Sequence, residues 1–196
     1  MRLEMTLLFD GGPPSTRPRR RAVSRFASRS LRGRPSRGID GTEIVHKLRC
    51  TMHTFRCVQC GALNRVPEKR VAQKPICGQC KARLDVSGAP QEVDASELER
   101  VVASSPVPVL VDVWAPWCGP CRLASPVVGR LAKSRAGLLI VLKVNSDQHP
   151  EVSAKHRISG IPAFLMFRRG VEAARQVGLL PEAAFARWVD GFALAA

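Results

Sequence analysis

An α/β fold, a mixed central sheet with helices on both faces preceded by a small cysteine-rich module, is the architecture that this sequence of 196 residues predicts. Three observations carry the prediction. The near-continuous apolar runs 107–114 and 138–144 lack the alternation of half-exposed strands, so they read as central strands covered on both sides. An amphipathic helical stretch separates them, giving a β–α–β unit, and a hairpin followed by a helix completes the pattern. A Cys-x-x-Cys pair closes the first run, and two more pairs lie upstream.

Residues 1–51 are rich in Arg, Ser, Pro and Gly and poor in large apolar groups. Such a segment cannot bury enough surface to offset its ordering entropy, so disorder is expected. It reads as a basic tail, as a transit-type peptide, or as a stretch outside the natural product, with translation starting at Met52. Cys50 falls here, with no partner that spacing identifies.

Residues 52–88 hold Cys57-x-x-Cys60 and Cys77-x-x-Cys80 with sixteen residues between the pairs. That spacing suits four thiolates around one tetrahedral zinc ion, with short strands such as Asn64-Arg65-Val66-Pro67 between. So small a segment with so few large apolar groups hardly folds without a metal or cross-link. Two labile disulfides are the rival reading. His53 reads as a surface histidine, because four sulfurs already complete the shell. Gly88-Ala89-Pro90 marks the linker.

Residues 91–196 form the larger domain. Ser96-Glu97-Leu98-Glu99 reads as a capping box opening a helix with Leu98, Val101 and Val102 inward. Val107–Trp114 is the first central strand. A helix follows over Gly119–Lys133, with Leu123, Val127, Val128 and Leu131 inward and Pro126 inside it. Leu138–Val144 is the second central strand and Pro150–His156 a short helix. Ala163–Phe167 and Val171–Val177 flank Arg168-Arg169-Gly170 as a hairpin. Pro181 opens the last helix, with Phe185, Trp188, Val189 and Phe192 at helical spacing.

The formal net charge of +15 is unevenly spread: +8 over residues 1–51, +5 over 52–90 and +2 over 91–196. The basic character belongs to the front of the chain, which weakens a reading of the whole as a nucleic-acid binder. A binding module with a redox-sensing domain is the alternative function. Its ribbon has one aromatic, Phe55, and so no stacking surface for bases. No apolar stretch approaches the ~20 residues a membrane span needs. Cys-x-x-Cys pairs favour a reducing compartment, so the chain reads as cytoplasmic; it is also expected to be a monomer.

Trp117-Cys118-Gly119-Pro120-Cys121 follows a strand and opens a helix, which is the geometry of thiol–disulfide exchange. Only the thiolate attacks, and a helix N-terminus stabilises that anion. Pro120 suits the first turn, Gly119 keeps bulk from the sulfurs, and Trp117 forms an apolar lip. Asp112 interrupts the apolar strand on the face of Leu110 and Trp114. A buried carboxylate is costly, so its pKa should be raised, which fits a base that takes the proton of Cys121. Lys143 interrupts the neighbouring strand, and the two lone charges suggest an ion pair.

Residues 91–196 resemble the thioredoxin family. The resemblance rests on Val111-Asp112-Val113-Trp114-Ala115-Pro116-Trp117-Cys118-Gly119-Pro120-Cys121, on Pro126, on Lys143-Val144-Asn145, on Gly160-Ile161-Pro162 and on Gly178. It implies the thioredoxin fold, with a cis Ile161–Pro162 bond facing the sulfurs. It implies Cys118 as nucleophile, Cys121 as resolving thiol, Asp112 as proton acceptor and Lys143 as its neighbour. Trp117, Gly119, Pro120, Ile161, Pro162 and Gly178 would form the substrate-docking surface, with the Ile161 backbone pairing with the substrate chain. Ala163 and Ser159 depart from the family's usual residues and bear on substrate preference. The implied function is protein-disulfide reduction, with disulfide-containing proteins as substrates and an NADPH-dependent thioredoxin reductase as partner. A zinc ribbon before such a domain resembles the zinc-containing bacterial thioredoxins. These start a few residues before their first cysteine, which favours a start at Met52.

Overall fold

The computed structural model describes residues 52–193, so residues 1–51, with the expected disorder and Cys50, lie outside the described residues. Two strands, β1 (Met52–Arg56) and β2 (Leu63–Pro67), pair antiparallel and are followed by one helical turn, α1 (Glu68–Val71). A second sheet follows: β3 (Gln91–Glu92), α2 (Ala95–Ser104), β4 (Val109–Trp114), α3 (Gly119–Ser134), β5 (Ile140–Asn145), α4 (Pro150–Lys155), β6 (Ala163–Arg168), β7 (Val171–Val177) and α5 (Glu182–Ala193). Its strand order is β3-β5-β4-β6-β7. The first three strands are parallel, and β6 and β7 run antiparallel to their neighbours.

β4 explains the arrangement. Successive side chains of a strand point to opposite faces. Val109, Val111 and Val113 enter one core with Leu98 and Val101 of α2 and Val152 of α4. Leu110 enters the other, with Val128 and Leu131 of α3 and Phe185 and Val189 of α5. Each fully buried aliphatic side chain contributes about 1.5–3 kcal/mol. Both faces therefore favour apolar residues, and the run shows no alternation. Asp112 is the exception. β7 is different: among the described residues it has a single neighbour, β6, and it alternates exposed with half-buried residues.

Three details differ from the sequence expectations. α2 is capped by Asp94, not Ser96: the Asp94 carboxylate accepts the Glu97 N–H at 2.7 Å and the Ser96 hydroxyl at 2.8 Å. Asp94 has the extended backbone an N-cap needs, and Ser96 already lies inside the helix. Leu123 is 67% exposed. The buried stripe of α3 runs through Cys121, Ala124, Val128 and Leu131, and Leu123 lies one step off it. The two-residue edge strand β3 was not expected, being too short to show a period.

The small sheet packs on the large one. The Thr54 N–H donates to the Gly137 carbonyl at 2.8 Å in the turn after α3. Gly137 has φ +77°, and a Cβ there would lie 2.4–2.7 Å from the His53 side chain, so only glycine fits.

Candidate active site and thiolate cluster

β4 ends at Trp114, three residues turn, and Cys118 becomes the N-cap of α3. Cys118 and Cys121 are joined by a disulfide. The Cys121 N–H donates to Cys118 Sγ at 3.1 Å, so this sulfur takes the place of a capping oxygen at the positive end of a 16-residue helix. Pro120 occupies the first turn, where no N–H is needed. Open space surrounds the Gly119 Cα, as expected of a residue that leaves the sulfurs accessible. Cys118 and Cys121 are 4% and 5% exposed, so burial does not tell the two sulfurs apart; their positions on the helix do.

Trp117 stands 68% exposed beside them, and its indole N–H donates to Asp147 Oδ2 at 3.0 Å. Ile161 packs with Trp114 against the cluster of Ala115, Cys118 and Cys121. The Ile161–Pro162 peptide is cis. The Pro162 carbonyl accepts the Gly178 N–H at 2.8 Å, and Gly178 has φ +83°, which favours glycine although space for a side chain exists. The residues nominated for substrate docking thus converge on the dithiol end of the sheet from α3, the loop before β6 and the end of β7.

Asp112 is 2% exposed, and its Oδ1 has no hydrogen-bond partner among the described residues. Burial pushes its pKa up to about 7; the charge of Lys143 opposes this and that of Glu92 reinforces it. The expected Asp112–Lys143 ion pair does not form. The two residues are register neighbours, but the Lys143 ammonium donates to Glu92 Oε1 at 2.9 Å and lies 4.2 Å from the Trp114 ring centroid. A lysine stem reaches past the core to a half-exposed partner more cheaply than it surrenders its hydration to a buried one. Sequence reasoning missed Glu92 because no periodicity marked its strand, and it missed Asp147 because nothing in a loop acid signals an indole partner.

The second cluster gathers Cys57, Cys60, Cys77 and Cys80, whose sulfurs all lie within 4.8 Å of one another. Cys57–Cys80 and Cys60–Cys77 approach at 3.6 and 3.7 Å. Bonds of about 2.3 Å to a tetrahedral zinc ion place sulfurs about 3.8 Å apart. The dimensions fit a metal ion, and all four are free thiols. The Cys80 N–H is the main cause that draws the Cys77 thiol down to about 6. The Ala82 N–H favours the Cys80 thiolate, but the Cys60 sulfur, burial and the other two sulfurs push it up to about 12. Anions so crowded call for a cation. Tight turns hold the pairs, through Gly61 N–H to the Cys57 carbonyl at 2.8 Å and Lys81 N–H to the Cys77 carbonyl at 3.1 Å. His53 lies outside this cluster and against Ala136, as expected of a non-ligand.

A mixed sheet of this order with a Cys-Gly-Pro-Cys disulfide at a strand–helix junction defines a thiol–disulfide oxidoreductase. The Thioredoxin family model matches residues 89–191, and the model described as "Thioredoxin 2, N-terminal", a zinc ribbon, matches residues 56–82. The chain is 34% identical over 134 residues to Thioredoxin C-3 of Corynebacterium nephridii, covering 68% of this chain and 91% of that protein. It is 40% identical over 105 residues to Thioredoxin 1 of Nostoc sp., covering 54% of this chain and 97% of that one. Among solved structures, a single-site mutant of a thioredoxin from Halobacterium salinarum NRC-1 superposes with a TM-score of 0.51 at 28% identity, over 56% of this chain and 95% of that one. The chain belongs to the thioredoxin family, and its activity is thiol–disulfide exchange. Among the described residues no helix is long and apolar enough to cross a membrane.

Proposed function

We propose that this protein reduces disulfides of other proteins with the Cys118/Cys121 dithiol, is re-reduced by an NADPH-dependent thioredoxin reductase, and carries a structural zinc ion on Cys57, Cys60, Cys77 and Cys80. The observation that carries the reading is the 3.1 Å contact of the Cys121 N–H with Cys118 Sγ at the start of α3, since that donor and the helix dipole stabilise a thiolate there. In the reduced protein the Cys118 thiolate attacks one sulfur of a substrate disulfide and expels the other as a thiolate. Cys121 gives its proton to Asp112 and attacks Cys118 Sγ. The S–S bond to the substrate breaks, the second substrate thiolate leaves, and the Cys118–Cys121 disulfide forms. Two electrons have passed to the substrate, and the reductase returns them from NADPH. Trp117, Gly119 and Pro120 form one wall of the docking surface. Ile161, Pro162 and Gly178 form the other, and the Ile161 backbone would pair with a substrate segment. Cys57, Cys60, Cys77 and Cys80 would hold the zinc ion, which would supply no chemistry but would cross-link the turns of a module whose apolar core is little more than Phe55, Val66 and Leu84.

Purified full-length protein with NADPH, thioredoxin reductase and insulin tests the reading. Insulin reduction with the wild type and none with Cys118→Ser is expected. Equal rates for the two would refute it.

A further inference from the structure

Glu92, Lys143 and Asp112 form a row across three adjacent strands. Glu92 is in register with Lys143, and Lys143 with Asp112. Residues opposite each other in a ladder project to the same side, so the three share one face of the sheet with Trp114, two positions past Asp112. The central ammonium has a carboxyl group on either hand. It bonds the outer one, at 2.9 Å from Glu92 Oε1. The second oxygen of Glu92 accepts the Trp114 indole N–H at 3.2 Å, and the Trp114 ring lies under the ammonium. The inner carboxyl keeps Oδ1 buried, with no hydrogen-bond partner among the described residues.

We propose that Glu92 is a positioning residue for disulfide exchange: its carboxylate holds the Lys143 ammonium at the sheet edge, which keeps the buried Asp112 carboxyl out of an ion pair and able both to take up and to release a proton. The inference rests on the reading above in which Asp112 serves Cys121. A carboxylate paired with an ammonium is too weak a base to draw a thiol proton near neutral pH, whereas one held apart keeps a proton affinity close to the working pH. Lys143 and Glu92 are the charged groups whose fields reach Asp112. Its other ladder neighbour is Phe164, and α3 and α5 cover that face with apolar side chains; on reduction α3 also presents the thiols of Cys118 and Cys121. Losing Glu92 frees a flexible four-carbon stem to swing to the nearest remaining carboxyl, that of Asp112.

The test is the titration of the Asp112 side-chain carboxyl, followed by 13C NMR in the disulfide form of the full chain, in the wild type, E92Q, K143M and the double variant. E92Q is expected to lower the Asp112 midpoint by about one pH unit. In the K143M background the same change should move it by less than half as much. An unchanged midpoint in E92Q overturns the proposal. So does an equal shift in both backgrounds, which assigns the effect to the charge of Glu92 alone. Glu92 is 56% exposed, so glutamine is accommodated there; K143Q provides a second cycle should K143M fold poorly. The titration needs no turnover, so its outcome is separate from that of the insulin assay.

Discussion

Arg56 and Gln91 hold each other by two hydrogen bonds of opposite direction: Arg56 Nη1 donates to Gln91 Oε1 at 2.8 Å, and Gln91 Nε2 donates to the Arg56 carbonyl at 3.2 Å. Arg56 Nη2 also reaches Glu97 Oε1 at 2.6 Å, on an arginine side chain only 3% exposed. One residue of β1 thereby ties the cysteine-rich sheet to the edge strand and to α2. Arg56→Met leaves Gln91 and Glu97 without their donor, although Glu97 can recover water. A loss of about 2–3 kcal/mol is expected, read from urea unfolding at saturating zinc.

The pH dependence of stability follows from Asp112. Its carboxyl has a pKa of about 7 in the folded disulfide form against an ordinary value of 3.8. The folded state therefore binds the proton more tightly, and between these values the unfolded state holds fewer protons. Stability contributed by this group is full below about pH 4, falls as pH rises, and levels off above pH 7. The raised value corresponds to about 4 kcal/mol across that window. Asp112→Asn should be more stable than the wild type at pH 8 and should lose most of that advantage by pH 5. Thermal unfolding at the two pH values measures it.

Cys121→Ser removes the thiol proposed to resolve the intermediate and leaves the N-cap sulfur in place. The variant should accumulate a covalent complex with a disulfide-containing protein, released by dithiothreitol and seen by non-reducing electrophoresis or intact mass. Cys118→Ser should form none. Trapping by Cys118→Ser instead would reverse the roles assigned to the two sulfurs.

Four sulfurs spaced for a tetrahedral ion predict one zinc per chain. Cys77→Ser removes one of the four ligands, a thiol drawn down to about 6, and should lower the metal content at least tenfold under competition with a chelator, read by metal analysis of the dialysed protein. Chelation of the wild type should expose four thiols to Ellman's reagent and collapse the amide signals of residues 57–84 into the random-coil range, while those of β4 and β5 stay in place.

Much of this was legible in the sequence because each signal had one physical cause. The run Val109–Trp114 had to be apolar on both faces, and so announced a central strand. Asp112 stood out in it because a buried carboxyl in an apolar run is costly. The cysteine spacings fixed two sulfur clusters. What escaped was set by geometry that leaves no local trace. The destination of the Lys143 ammonium depends on a strand of two residues, Gln91–Glu92, whose place beside β5 comes from the fold. Leu123 shows the limit of reading a helix by composition, since a shift of one position moved it from core to solvent. The cap of α2 lay two residues earlier than the capping box suggested because Asp94, not Ser96, has the extended backbone.

The outer rim of β7 sets how copies of this chain regard one another. Among the described residues no strand pairs with β7 on that side, the kind of edge on which a second molecule adds strand to strand. The approach is guarded by Arg168 and Arg169 at the hairpin tip and by exposed Arg175, which keeps its own Glu172 engaged at 2.7 Å. A second copy adding there would have to pack against these charged side chains, which discourages self-templating even when the protein is concentrated.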